Sequence, residues 1–76
     1  MAKQKGDIEI GYRMVDELMR LFGTQANAAR KAHFDRHSVS WWASGGTPGG
    51  HSLAKLHYCG GDVMYVLTGE RGVKRG

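Results

Sequence analysis

The sequence predicts an all-α fold, a compact bundle of about five short helices forming one domain over residues 1–76, and three observations carry that expectation. Apolar residues recur at helical spacing from Ile8 to Phe22, which gives one buried stripe and one solvated face. Glycines at positions 23, 60 and 69 stand where such segments would stop, while Thr24, Asp35 and Asp62 stand where the next would start. Between them, Gln25–Trp42 joins an alanine-rich segment, a corner at His33-Phe34 and a second segment with Val39 and Trp42 three apart. That is the spacing of a central helix-turn-helix.

Taken in order, residues 1–6 show no periodicity and are expected to form a flexible basic arm, with Lys3 and Lys5 able to reach DNA phosphate or the minor groove. A plain solvated tail explains them as well. Asp7 is a possible N-cap for the first helix. Ile8, Tyr12, Val15, Leu18, Met19 and Phe22 are expected on its core face, and Glu9, Arg13, Asp16, Glu17 and Arg20 on the solvated side, until Gly23 stops it. Thr24 caps the second helix, whose alanines give strong helix propensity and little bulk. Ala29 falls where the two central helices come closest. Gln25 sits in the first turn, where its side chain and the local amides could meet a phosphate. Arg30 and Lys31 face outward, toward a DNA backbone or water. Phe34 should plug the core after the corner, and Asp35 takes the N-cap position of the third helix.

In that third helix Val39 and Trp42 can both point inward, which leaves Arg36, His37, Ser40, Trp41 and Ser44 on the other face. A second helix of this kind lies in the DNA major groove, its N-terminal residues at base edges. Arg36 suits a bidentate pair to guanine O6 and N7, and His37 and Ser40 suit hydrogen bonds to a base or phosphate. Adjacent helical residues point about 100° apart, so one of Trp41 and Trp42 must lie near the surface. Ser44 to Gly50 is rich in glycine. Thr47 before Pro48 suits a cap followed by a first helical residue, with regular structure from about His51. Leu53, Leu56, His57 and Gly60 then share a face of a fourth helix, with Lys55 turned outward. Asp62 caps a fifth, with Val63, Val66 and Leu67 as core candidates, and residues 71–76 form a basic tail.

Gln25, Ala29, the turn at His33-Phe34, Val39 and Trp42, followed by Asp62-Val63-Met64-Tyr65-Val66-Leu67-Thr68-Gly69-Glu70, resemble the DNA-binding domain of phage CI/Cro-type repressors over roughly residues 8 to 70. The resemblance implies a lambda-repressor-like arrangement of the helices. It also implies that Trp42 is the buried tryptophan, and that Trp41 is free to pack on a thymine methyl, a sugar or another subunit; covering the edge of the core is the alternative. Two residues depart from the family's pattern. His33 stands at a corner where glycine is usual, because the chain needs positive φ there, and Trp41 stands where a small or polar residue is usual.

Composition bounds the function. A chain of 76 residues buries only about 60% of its unfolded surface, so dimerisation would help it. A net charge of +4 and a pI near 9.6 fit a nucleic-acid partner. Cys59 is the only cysteine, which rules out an intramolecular disulfide and fits a reducing, cytoplasmic compartment. No apolar run approaches the roughly 18 residues of a membrane span. The histidines and Cys59 show no metal-ligand spacing, and Cys59 with His57 lacks the surroundings of a nucleophile and base. Cys59 is read as a small core residue. No metal, cofactor, small-molecule ligand or enzymatic activity is expected. The favoured reading is a homodimeric transcriptional regulator on a pseudopalindromic double-stranded DNA operator. The alternative is an antitoxin-like protein-interaction module on the same fold.

Overall fold

A computed structural model describes residues 4–70, with side chains from residue 9 onward. Among those residues the chain forms five helices and no strand: α1 (Gln4–Phe22), α2 (Gln25–Ala32), α3 (Arg36–Ala43), α4 (Gly50–Tyr58) and α5 (Val63–Thr68). Helix α1 begins ahead of Asp7, so Asp7 is not its N-cap and residues 4–6 of the expected arm are helical. Gln4 and Lys5 are good helix formers, which lets the helix extend past the aspartate. Lys3, the Lys5 side chain and residues 71–76 lie outside the described residues.

The corners follow the local chemistry closely. Gly23 ends α1 at φ 91°, its N–H donating to Met19 O at 2.8 Å. Thr24 caps α2 by accepting from Asn27 N at 3.0 Å. His33 takes the left-handed conformation at φ 61°, ψ 39°, and the Phe34 N–H reaches back to Ala29 O at 3.0 Å, closing a Schellman-type end. That corner is held from outside by Lys55. Its Nζ donates to the His33 carbonyl and stands 4.7 Å from the centre of the Phe34 ring. Lys55 is therefore half-buried and engaged, not turned outward as its helical position suggested. A long aliphatic stem let it cross the corner with its charge still at the surface.

The core is built from Met14 and Leu18 of α1, Ala28, Ala29 and Ala32 of α2, Phe34, then Val39 and Trp42 of α3, with Leu56 and Val66 closing it from α4 and α5. The Phe34 and Trp42 rings meet edge to face, centroids 5.3 Å apart at 86°. The alanines of α2 give these rings room. Gly11 has a comparable role on α1: a Cβ there would overlap the carbonyl oxygen of Gly46, so α1 lies directly against the loop after α3.

On α1 the sequence expectation fails at several positions. Tyr12 and Met19 are exposed, whereas Glu17 is fully buried, at 0% exposure, and Arg13 is half-buried. The cause is α5, which packs along the face carrying Arg13, Asp16 and Glu17. Glu17 Oε2 accepts the Asp62 N–H at 2.7 Å, at the start of α5. Arg13 donates from Nε to Val66 O at 3.0 Å and from a terminal nitrogen to Leu67 O at 3.3 Å, at the end of α5. An acid thus meets the positive end of the α5 dipole and a base its negative end. Tyr65 Oη adds a hydrogen bond to Asp16 at 3.1 Å. Arg20, itself exposed, reaches the buried Glu17 from the surface and hydrogen-bonds it at 2.5 and 3.0 Å. These bonds and the carboxylate charge push the Arg20 guanidinium above its ordinary pKa.

Other corrections are local. Helix α4 starts at Gly50 with Gly49 at the N-cap position, so Thr47 does not hold that position and Pro48 is not its first helical residue. Pro48 is instead buried against the bundle. Cys59 is exposed at the C-cap of α4 and is not a core residue, because the Gly60 turn at φ 90° carries the chain away there. Leu67 and His57 are exposed as well, while Asp62 caps α5 as expected by accepting from Tyr65 N at 3.0 Å.

Candidate functional site

Helix α3 is anchored on one side only. Val39 and Trp42 are each 2% exposed, and the alternation of about 100° per residue then turns His37, Ser40, Trp41 and Ser44 outward and Arg36 toward α2. All five of these side chains are exposed. Asp35 holds the N-cap position of α3, but its carboxylate caps no amide. The Ser44 hydroxyl donates to Ser40 O at 3.2 Å and so finishes the helix, with both of its acceptor lone pairs still available.

Gln25, from the first turn of α2, lies beside α3. It lines an open groove of about 240 Å³ together with Ala26, Ala29, Arg36, Val39 and Ser40. The groove exists because Ala26 and Ala29 present only methyl groups where the helices approach. At its head, Thr24 takes the amides of Asn27 and Ala28, while the N–H groups of Gln25 and Ala26 have no acceptor among the described residues. Outward amides at a helix start favour an anion. A neighbouring groove is lined by Ala26, Ala29, Arg30, Phe34 and Arg36, so Arg30 and Arg36 flank the corner. Lys31 is exposed but stands apart, about 120° round α2 from Gln25, and lines neither groove.

Charge is segregated along the chain. Between Leu18 and Gly61 the only acidic residue is Asp35, so α2, α3 and α4 carry none, and the carboxylates lie in the segments around α1 and α5. The cations differ in availability too. Arg13 and Arg20 are bound into the α1–α5 contact, Lys55 into the corner, and Arg30 donates to Asn27 Oδ1 at 2.6 Å. Arg36 and Lys31 have no hydrogen bond or ion pair among the described residues.

Trp41 is 62% exposed and has a seat that the sequence reading missed. Its indole lies over Gly46, so that a Cβ at Gly46 would overlap Cε2, Nε1 and Cδ2 of the ring, and the Gly46 N–H donates to Trp41 O at 2.8 Å. The Gly45-Gly46 pair was the available signal in the sequence.

No family model matches the chain, and neither a curated protein nor a solved structure matches it. Among the described residues no group of histidine, cysteine, aspartate and glutamate could hold a metal ion, and no helix is long and apolar enough to cross a membrane.

Proposed function

We propose that the chain is a sequence-specific DNA-binding transcriptional regulator of the phage CI/Cro-type repressor class, acting in the cytoplasm of a bacterium or phage-infected host. The observation that carries this reading is the one-sided anchoring of α3. Val39 and Trp42 fix the helix, while Arg36, His37, Ser40, Trp41 and Ser44 stand exposed on a surface nearly free of carboxylates. A helix so presented fits the major groove, where Arg36 addresses guanine and His37 and Ser40 address base edges or phosphate. Gln25 and the first amides of α2 then lie where a backbone phosphate passes, and Lys31, on another side of α2, adds positive charge to the helix. The reading is of a binder and not of an enzyme.

A separate observation supports a homodimer. Tyr58 is 84% exposed, Met64 and Leu67 are also exposed, and Leu53, Ala54, His57, Tyr58 and Val63 line an open apolar groove between α4 and α5. A second copy covering this surface would bury it, and a homodimer of this class reads half-sites about one helical turn apart.

The test is selection from a randomised duplex pool across a salt series, with wild type beside Arg36→Ala. The expected result is a palindromic motif whose preference at one base step is lost in the variant, at a cost of about 1 to 3 kcal/mol. Weak, unselective binding indifferent to Arg36 overturns the reading and points to a protein partner.

A further inference from the structure

We propose that Trp41 is a specificity residue that recognises the 5-methyl group of thymine, in a position set by Gly46; this rests on the DNA-binding reading above. Trp41 shares the outward face of α3 with His37, Ser40 and Ser44, yet it is the one member that offers apolar surface. Gly46 backs one face of its five-membered ring, beside Cε2, Nε1 and Cδ2. What α3 presents at this point is mainly carbon.

In the major groove every base-pair edge carries donors or acceptors, and the thymine methyl is the one apolar group on display. An indole has a single donor and no acceptor, so most of its exposed surface finds no hydrogen-bond partner on a base edge. It gains instead by covering that methyl. The glycine seat matters because an exposed tryptophan would otherwise lose rotamer freedom on binding. Here the Gly46 backbone already supports one face of the ring, and Gly46 is itself pressed against Gly11 of α1. The ring therefore meets DNA partly ordered.

The test uses the full chain and the duplex recovered by the selection described above, resynthesised with deoxyuridine replacing one thymidine at a time, which removes the methyl and nothing else. At one symmetry-related thymine the replacement should weaken wild-type binding about fourfold, the effect of one buried methyl. Trp41→Ala should bind the two duplexes equally, with an unchanged salt slope because no phosphate contact is lost. Trp41→Phe, which keeps a smaller ring, should retain part of the discrimination. Gly46→Ala, which displaces the indole without altering any charge, should lose it. A selected motif that is indifferent to every uracil replacement, or one whose sensitivity survives in Trp41→Ala, overturns the assignment and leaves DNA binding standing. A pool that yields no motif overturns both.

Discussion

Where α5 meets α1 the contact is polar and directed, and where α2 meets α3 it is apolar and close. In the first, Glu17 takes the leading amide of α5, Arg13 takes its trailing carbonyls and Asp16 holds the Tyr65 hydroxyl. In the second, Ala28, Ala29 and Ala32 face Phe34, Val39 and Trp42. The polar groups of one half are engaged in holding the bundle together, and those of the other half stay at the surface. A net positive charge alone would not separate these two sets. The distinction shows why Arg36 is a binding candidate while Arg13, with the same formal charge, is part of the scaffold.

That contrast can be broken from the scaffold side first. Glu17→Ala removes a fully buried carboxylate that serves both the Asp62 amide and Arg20, and should destabilise the protein by about 3 kcal/mol in denaturant titration. A loss below roughly 0.5 kcal/mol, the range of an ordinary surface change, would show that α5 is held by its apolar contacts alone. The corner of the other half offers a smaller effect of opposite sign. His33→Gly relieves a left-handed residue with a Cβ while leaving its carbonyl for Lys55, and should raise stability by about 1 kcal/mol, seen as a higher melting temperature. A fall would mean that the His33 side chain supports the corner. Smallest of all, Arg36→Ala should shift stability by no more than about 0.5 kcal/mol, although on the proposed reading it impairs DNA recognition. A larger loss in the same melting experiment would move Arg36 from the reading surface into the scaffold.

The same contrast separates what the sequence made legible from what it did not. Thr24, His33 and Asp62 were readable because each acts within a few residues of itself, and Val39 and Trp42 because a helical period fixes their direction. Arg13 and Glu17 were not readable. Their partners lie 53 and 45 residues away, and no local rule distinguishes a charge bound for solvent from one awaiting a distant helix end. Tyr12, Met19 and Leu67 erred in the opposite direction, since an apolar side chain at the edge of a helical stripe is buried only if a neighbour covers it. The outward face of α3 could be assigned from sequence. The groove it shares with Gln25 needed the corner geometry, and the place of Trp41 over Gly46 needed the path of the loop.

The two adjacent tryptophans also give the molecule a pair of optical reporters. Trp42 sits in a dry environment beside Phe34, and Trp41 stands in water at the surface of α3. A small aqueous quencher reaches the outer indole and not the inner one, so their emission can be separated without any label. The inner signal follows the integrity of the core through a melt. The outer one changes when something comes to rest on α3, which makes the chain its own indicator of occupancy.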